Sequence, residues 1–267
     1  MEKSKLHHQS FIVENKPLCT DHYLLVLRDE PLAQTALPGQ FVNLRIKNRE
    51  EFLLRRPFSI ARTLPEQSCV EVVYRIVGKG TAAMKDLRPG ETVDLLGPLG
   101  KSFSLPERPV TCLLIGGGVG IAPLWSLANR LSQNRNKIIA LLGFRSSHFL
   151  FGIDRFQNHG AETIVTTDDG SCGLKGFVSD HLENALKRQI ERVYICGPSL
   201  MLKAVIPMIR RAGIQGEVSV EERMGCGFGV CLSCVVNVRR DGVIERQRAC
   251  TEGPVFDLEE IILDDET

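Results

Sequence analysis

The sequence predicts a multidomain α/β plus β protein: an antiparallel β-barrel, then a Rossmann-like parallel α/β domain, then a small C-terminal domain organised by cysteines. Short strand-like runs broken by Pro–Gly turns fill the first third, and apolar strands alternate with helical spacings in the middle. Four cysteines at a characteristic spacing follow near the end. The rhythm changes place the domains at residues 1–107, 108–216 and 217–267.

In the first domain the expected strands are Tyr23 to Leu27, Phe41 to Ile46, Val70 to Ile76 and Thr92 to Leu96, separated by Pro38-Gly39, Pro89-Gly90 and Gly97-Pro98. Read from the residues, this is an antiparallel barrel or sandwich. In the second, Val110 to Ile115 and Ile138 to Gly143 are continuous apolar strands, with helical spacing from Pro123 to Ser132 between them. Ile164 to Thr166, Ser179 to Leu186, Val193 to Cys196 and Leu200 to Ala212 continue the alternation, which implies a parallel sheet with covering helices. The third begins near Glu217 and ends in an acidic tail, read as a solvated face.

The 267 residues suffice for two domains and a small module, and a hydrophobic content of 43% with 24% charge is ordinary for a soluble chain. A formal net charge of +1 argues against a nucleic-acid-binding surface. The N-terminal residues contain no apolar signal region, and no apolar run reaches the roughly 18 residues of a membrane span. A cytoplasmic protein is expected. Beyond the four grouped cysteines, Cys19, Cys69, Cys112, Cys172 and Cys196 are scattered, as small apolar residues are in a reducing compartment.

The grouped cysteines are the most specific feature. Cys226, Cys231, Cys234 and Cys250 give C-x4-C-x2-C…C, the plant-type [2Fe–2S] spacing, in which two irons take two thiolates each. Gly225, Gly227 and Gly229 permit the tight turns such a loop needs. No charge lies between Cys226 and Cys234, and Phe228, Val230 and Leu232 provide an apolar shell. Structural zinc also takes four cysteines, but its usual sign is two C-x2-C knuckles, and only Cys231 and Cys234 form one.

Phosphate- and flavin-binding chemistry is suggested by two further groups. Arg55 and Arg56 offer guanidinium forks suited to a diphosphate. Pro57, Phe58 and Ser59 follow, with a hydroxyl for a ring nitrogen, then Val73, Tyr74 and Arg75, and Gly80 with Thr81 opens a helical stretch whose N–H groups suit phosphate. Arg-Pro and Gly-x-Gly turns also occur in barrels that bind nothing. In the second domain Gly116, Gly117, Gly118 and Gly120 follow a strand, but Ile121 stands where G-x-G-x-x-G requires its last glycine. No carboxylate follows the second strand near position 136 to hold a ribose hydroxyl; Arg145 follows it instead, suited to a 2′-phosphate or an ordinary ion pair. Cys196, Gly197 and Pro198 end another parallel strand, where ligands of open α/β sheets bind.

In order, Arg56-Pro-Phe-Ser59, Gly80-Thr81, Gly116 to Leu124 and Cys196-Gly-Pro198 resemble the motifs of the ferredoxin reductase superfamily. With Glu221 to Cys226 and the three later cysteines, nearly the whole chain resembles one branch, the electron-transfer subunits of B-type dihydroorotate dehydrogenases. The resemblance implies an FAD barrel, an NAD-binding domain, cluster ligation by the four cysteines, and a separate FMN-containing dihydroorotate dehydrogenase catalytic subunit in a heterotetramer of two of each. It carries FAD contacts onto Arg56 to Ser59, Val73 to Arg75, Gly80 and Thr81, with Phe58 departing from a commoner aliphatic residue. Subunits of sulfide dehydrogenase and electron-bifurcating ferredoxin reductase share these motifs. A zinc-stabilised interaction module is the non-enzymatic alternative.

No Ser–His–Asp triad is legible, so no side chain is assigned a catalytic role. His7 and His8 read as tail, and His22, His148, His159 and His181 lack metal or triad spacing. Asp168-Asp169-Gly170 reads as a turn on the nicotinamide side; Glu221 and Glu222 either meet cofactor or cap structure.

Overall fold

The computed structural model describes residues 6–46 and 52–263. Residues 1–5 and the last acidic residues, 264–267, lie outside the described set. The first six strands are β1 (His7–Cys19), β2 (His22–Arg28), β3 (Phe41–Arg45), β4 (Arg56–Leu64), β5 (Cys69–Arg75) and β6 (Thr92–Leu99). They close into an antiparallel barrel in the order β1-β2-β5-β4-β3-β6. Alternation sends Val70, Val72 and Tyr74 of β5 inward with Val42, Leu44, Val93 and Leu95. Two short helices, α1 (Glu30–Thr35) and α2 (Lys79–Met84), sit between strands.

The expectation that His7 and His8 are tail is wrong. Both belong to β1, which pairs with β6. His8 is buried between acceptors, with Nδ1 3.0 Å from the Asp29 carboxylate and Nε2 3.0 Å from the Gly97 carbonyl.

The second unit contains β7 (Thr111–Gly117), α3 (Pro123–Gln133), β8 (Lys137–Phe144), α4 (Ile153–Gln157), β9 (Glu162–Thr167), β10 (Leu174–Lys175), α5 (Val178–Leu186), β11 (Arg192–Cys196), α6 (Ser199–Arg211) and β12 (Gly216–Ser219). The apolar strands lie at the centre of the parallel sheet: β8, β7 and β11 are neighbours in the order β10-β9-β8-β7-β11-β12, all parallel. The order reverses between β7 and β11, the topological switch point at which open α/β sheets bind ligands. The outward residues Leu24, Val26, Ala61 and Val73 of the barrel share one core with Leu124, Trp125 and Leu127 of α3. Barrel and sheet therefore pack through a continuous apolar interface. Among the described residues no helix is long and apolar enough to cross a membrane.

The remainder supplies β13 (Val235–Arg240), β14 (Val243–Arg248), β15 (Val255–Asp257) and β16 (Ile261–Ile262). β13 and β14 form a hairpin whose central residues, Asp241 and Gly242, have φ of 49° and 79°, the backbone of a tight two-residue turn. The acidic C-terminal stretch is less solvated than its composition suggests. β15 extends the large sheet antiparallel to β12, β16 pairs with β13, and Leu258, Ile261 and Ile262 are buried.

A cleft shared by barrel and sheet, and a cysteine loop beside it

A cavity of about 390 Å³ lies between the barrel, the switch point and the start of the cysteine region. The barrel contributes Pro57, Phe58 and Ser59 from β4, Val73, Tyr74 and Arg75 from β5, and Thr81 from α2. The sheet contributes Gly117, Gly118 and Gly120 after β7 and Gly197 with Pro198 after β11. Of the residues singled out in the sequence, these gather in one space.

Others support the walls. Gly116 and Cys196 are opposed in register on β7 and β11. A Cβ on Gly120 would lie 2.7 Å from the backbone of Cys196 and Gly197, so the two loops meet backbone to backbone only because this residue is glycine. The Cys196 thiol is fully enclosed and burial pushes it up.

The two arginines have separate tasks. Arg55 is held by Asp94 at 2.7 Å, a structural pair of the barrel. The Arg56 guanidinium lies over Gly80, whose Cβ would fall 2.8 Å from its Nε, and also over the Phe52 ring. It donates to the Leu54 carbonyl. Arg56 and the start of α2 thus form one basic corner, and Thr81 Oγ1 accepts from the backbone N–H groups of Val77 and Gly78 at 2.9 and 3.2 Å. Inside the barrel wall the Tyr74 hydroxyl donates to Asn15 Oδ1 at 3.0 Å, burial pushes that hydroxyl up, and the ring stacks on Tyr23.

Several lining residues were not nominated from sequence: Phe41, Met224, Ser219, Val220 and Pro254. The signal was available for Ser219, which ends the parallel strand β12, and for Val220, which follows it, the position from which such sheets bind. Glu221 and Glu222, left open in the sequence, also line the cavity. Glu221 is open to the cavity yet surrounded by protein, and that desolvation raises its carboxyl.

A second concavity of about 470 Å³ lies at the carboxyl ends of β8 and β9, lined by Arg145, Ser146, Phe149, Asp168 and Asp169. Asp168 and Asp169 follow the third strand, β9. Asp169 is occupied by Ser171, accepting from its N–H at 2.9 Å and its hydroxyl at 2.6 Å. Asp168 faces Arg145; burial raises its carboxyl, Arg145 opposes this and Asp169 adds to it.

The cysteine loop follows directly on Met224 of the main cavity. The four thiols stand as two pairs. Cys226 N–H donates to Cys231 Sγ at 3.3 Å, while Cys226 Sγ accepts from Val230 N–H at 3.3 Å. Cys234 and Cys250 are buried beside one another, and burial followed by the Cys234 thiol pushes Cys250 up to about 11. On the outer side the Ser233 hydroxyl, 3.1 Å from Cys231 Sγ, draws that thiol down to about 6. Among the described residues no three His, Cys, Asp or Glu side chains converge as ligands of a single ion. Two thiolate pairs with inward N–H groups fit a two-iron centre, which needs two thiolates per iron. Phe228, Val230 and Leu232 do not roof the loop within this chain; they are 52%, 73% and 63% exposed.

A closed barrel and a switch-point sheet sharing one cleft, with a cysteine loop alongside, define an oxidoreductase of the ferredoxin reductase type. Family models agree: an oxidoreductase FAD-binding domain matches residues 10–103, an oxidoreductase NAD-binding domain 114–206, and the iron-sulfur cluster binding domain of dihydroorotate dehydrogenase B 221–262. The dihydroorotate dehydrogenase B (NAD(+)) electron transfer subunit of Shouchella clausii is 41% identical over 94% of this chain and 96% of its own. That of Desulforamulus reducens is 40% identical over 84% and 86%. The chain belongs to the family of dihydroorotate dehydrogenase B electron transfer subunits. Among solved structures, an NADH-dependent reduced ferredoxin-NADP oxidoreductase studied for flavin-based electron bifurcation superposes with a TM-score of 0.85 at 32% identity, covering 99% of this chain and 92% of that one. A ferredoxin NADP+ reductase of Neisseria gonorrhoeae shares the fold, with a TM-score of 0.67 at 19% identity over 78% of this chain and 92% of its own.

Proposed function

We propose that the chain links an FMN-containing dihydroorotate dehydrogenase catalytic subunit to NAD(H) in the cytoplasm, serving pyrimidine biosynthesis in a heterotetramer of two subunits of each kind. The observation that carries this reading is the convergence of barrel residues, both glycine loops, residues 219–222 and Met224 in one cavity, from which the chain continues directly into the cysteine loop. When bound, NAD(H) exchanges a hydride, the [2Fe–2S] cluster single electrons, and FAD converts between the two.

The residues divide the work by position. Arg56 and the α2 start, with Gly80 and Thr81, hold the FAD diphosphate, while Pro57 to Ser59 and Val73 to Arg75 wall the flavin. Gly116, Gly117, Gly118, Gly120 and Cys196 to Pro198 admit the nicotinamide end by keeping both loops free of bulky side chains. Asp168, read from the sequence as a turn on the nicotinamide side, is placed here beside the adenosine ribose instead, where its charge offsets Arg145 in the same concavity and disfavours a 2′-phosphate, which supports NAD over NADP. Cys226 with Cys231 and Cys234 with Cys250 hold the cluster. Division at 107/108 and 216/217 is supported by the three family-model spans, each of which falls within one interval. Phe228, Val230 and Leu232 form the docking patch for the catalytic partner, since apolar side chains beside a redox centre exclude water when covered.

Metal, acid-labile sulfide and flavin analysis of the purified chain, with identification of copurifying protein, tests the reading. It expects about two irons with inorganic sulfide, as four thiolates require, together with FAD and an FMN-bearing partner. Zinc without sulfide refutes it. The likeness to the bifurcating oxidoreductase favours a second reading, a subunit of such an enzyme. Copurification of a ferredoxin-reducing partner in place of the FMN-bearing one would select that reading.

A further inference from the structure

We infer that Asn43 is the positioning residue by which the flavin barrel holds the cysteine loop, and so sets how the cluster lies relative to the flavin cavity. The inference rests on the cluster reading above and adds a residue that no motif in the sequence marks.

Strand β3 has two faces with different duties. Val42 and Leu44 point into the barrel core, whereas Phe41 packs outward into the core shared by the sheet and the C-terminal residues, including Cys234 and Cys250. Phe41 also lines the flavin cavity. Two residues further on, and therefore on that same outward face, stands Asn43. It is fully buried, and its Nδ2 donates to the Cys226 carbonyl at 3.0 Å, across 183 residues of sequence. Its register partner on β4 is Pro57, another wall of the cavity. One short strand thus touches the cavity and the first cysteine of the loop.

The contact is specific in both directions. A carbonyl only accepts, so the amide nitrogen of Asn43 must face Cys226. Gly227, with φ of 82°, crosses so close that a Cβ there would lie 2.3 Å from Asn43 Nδ2. The other half of the amide, Oδ1, has no partner among the described residues. A half-satisfied buried amide is costly, and an apolar residue of that size would pack a barrel wall without the cost. The donated bond accounts for the polar residue. Arg55 stiffens the strand here, with its guanidinium 3.4 Å from the Asn43 carbonyl and 2.7 Å from Asp94. Arg248 also holds the loop, donating to the Gly229 carbonyl at 2.8 Å, but it ends the β14 strand of the same module and moves with it. Asn43 reaches the loop from the barrel.

The test uses the full chain carrying FAD and cluster, with Asn43→Leu, which removes the donor, and Asn43→Asp, which keeps the shape but presents an acceptor to an acceptor. After rapid mixing with NADH, flavin reduction proceeds at the parent rate in both variants. Onward reduction of the cluster slows by about tenfold, the scale seen when residues supporting metal ligands are removed. The EPR line shape and midpoint potential of the reduced cluster shift as well. Loss of cluster with FAD content and NADH-driven flavin reduction intact also supports the inference, because the loop alone has been released. It is overturned if either variant keeps the parent cluster-reduction rate and EPR signal, or if FAD and cluster are lost together, which would make Asn43 ordinary barrel packing. A parent protein containing zinc and no sulfide fails at the earlier step and removes the group the inference concerns.

Discussion

The cleft and the cysteine loop are adjacent, yet they are built in opposite ways. The cleft has two braced walls. Glu71 of β5, only 4% exposed, lies 3.2 Å from Arg62 of the barrel and 3.6 Å from Arg155 of α4, whose guanidinium also rests over Trp125 of α3. The cysteine loop, residues 225–233, contains no helix or strand and turns its apolar side chains to solvent. A braced concave site suits small ligands that must be held and shielded. An exposed apolar loop suits a macromolecule that covers it. The comparison predicts that damage to one region leaves the other working.

The largest expected effect separates the two completely. Cys231→Ser removes one of four thiolates and abolishes the EPR signal of the reduced cluster, while FAD content and NADH diaphorase activity persist. Loss of FAD with the cluster would show that the loop is part of the cleft's architecture. The reciprocal change is Arg56→Ala, which deletes the charged corner over Gly80. A charge-assisted contact is worth about 1.5–3 kcal/mol, so FAD affinity falls about ten- to hundredfold with iron content unchanged. Flavin retention equal to the parent's after dialysis would make Arg56 a partner of the Leu54 carbonyl and the Phe52 ring only.

A subtler change sharpens the contrast. Phe228→Glu places a charge in the exposed apolar patch; loss of an aromatic anchor buried by the partner costs about 2 kcal/mol or more, so partner affinity falls about thirtyfold or more and partner-dependent dihydroorotate oxidation by NAD falls with it. Diaphorase activity, which uses the cleft, is unchanged. Equal loss of both activities would assign the loop to internal packing, and no loss of either would move the partner elsewhere.

How much could be read in advance follows from the range of the interactions. The cysteine spacing, the Arg56 to Ser59 segment and the two glycine loops are local patterns, and Pro57 to Ser59 line one cavity with Gly117, Gly118, Gly120, Gly197 and Pro198. The positions of β2, β3, β5 to β9 and β11 and of α3, α5 and α6 followed from periodicity. What stayed hidden depends on distant partners. Asn43 sits in an unremarkable strand, and its partner Cys226 lies 183 positions later. Asp168 read as a turn residue, which it is, but its place opposite Arg145 depends on β8 and β9 being neighbours. Polar composition hid the rest: His-His near one end read as tail, and the acidic residues near the other concealed β15 and β16. In both cases pairing with a strand distant in sequence overrode local composition.

His8 leads to the smallest effect. Asp29 caps α1 by accepting from Leu32 N–H at 3.0 Å, takes the Ser10 hydroxyl at 2.5 Å, and faces His8. Burial alone would raise its carboxyl, but His8, Ser10 and the Leu32 N–H outweigh it and hold the carboxyl below its ordinary value. A carboxylate depressed in the folded state stabilises above its unfolded pKa of about 3.9, and that contribution is lost as pH falls through the lower folded value. Asn at this position keeps the shape and removes the charge. With a hydrogen-bonded charge worth about 1–3 kcal/mol and about 2–4 °C per kcal/mol in a chain of this size, Asp29→Asn lowers the melting temperature by several degrees at pH 7. The gap narrows as pH drops from about 5 toward 3, where the parent's carboxylate is itself being protonated. A gap that stays constant to pH 3 would assign the loss to shape or capping instead of charge. Because this cluster pins β1 to β6 on the barrel, the cluster EPR signal should not change. A shift there would mean that strain in the barrel reaches the loop through β6 and β3, whose register sets Leu96 against Asn43, and the separation between the two regions would be incomplete.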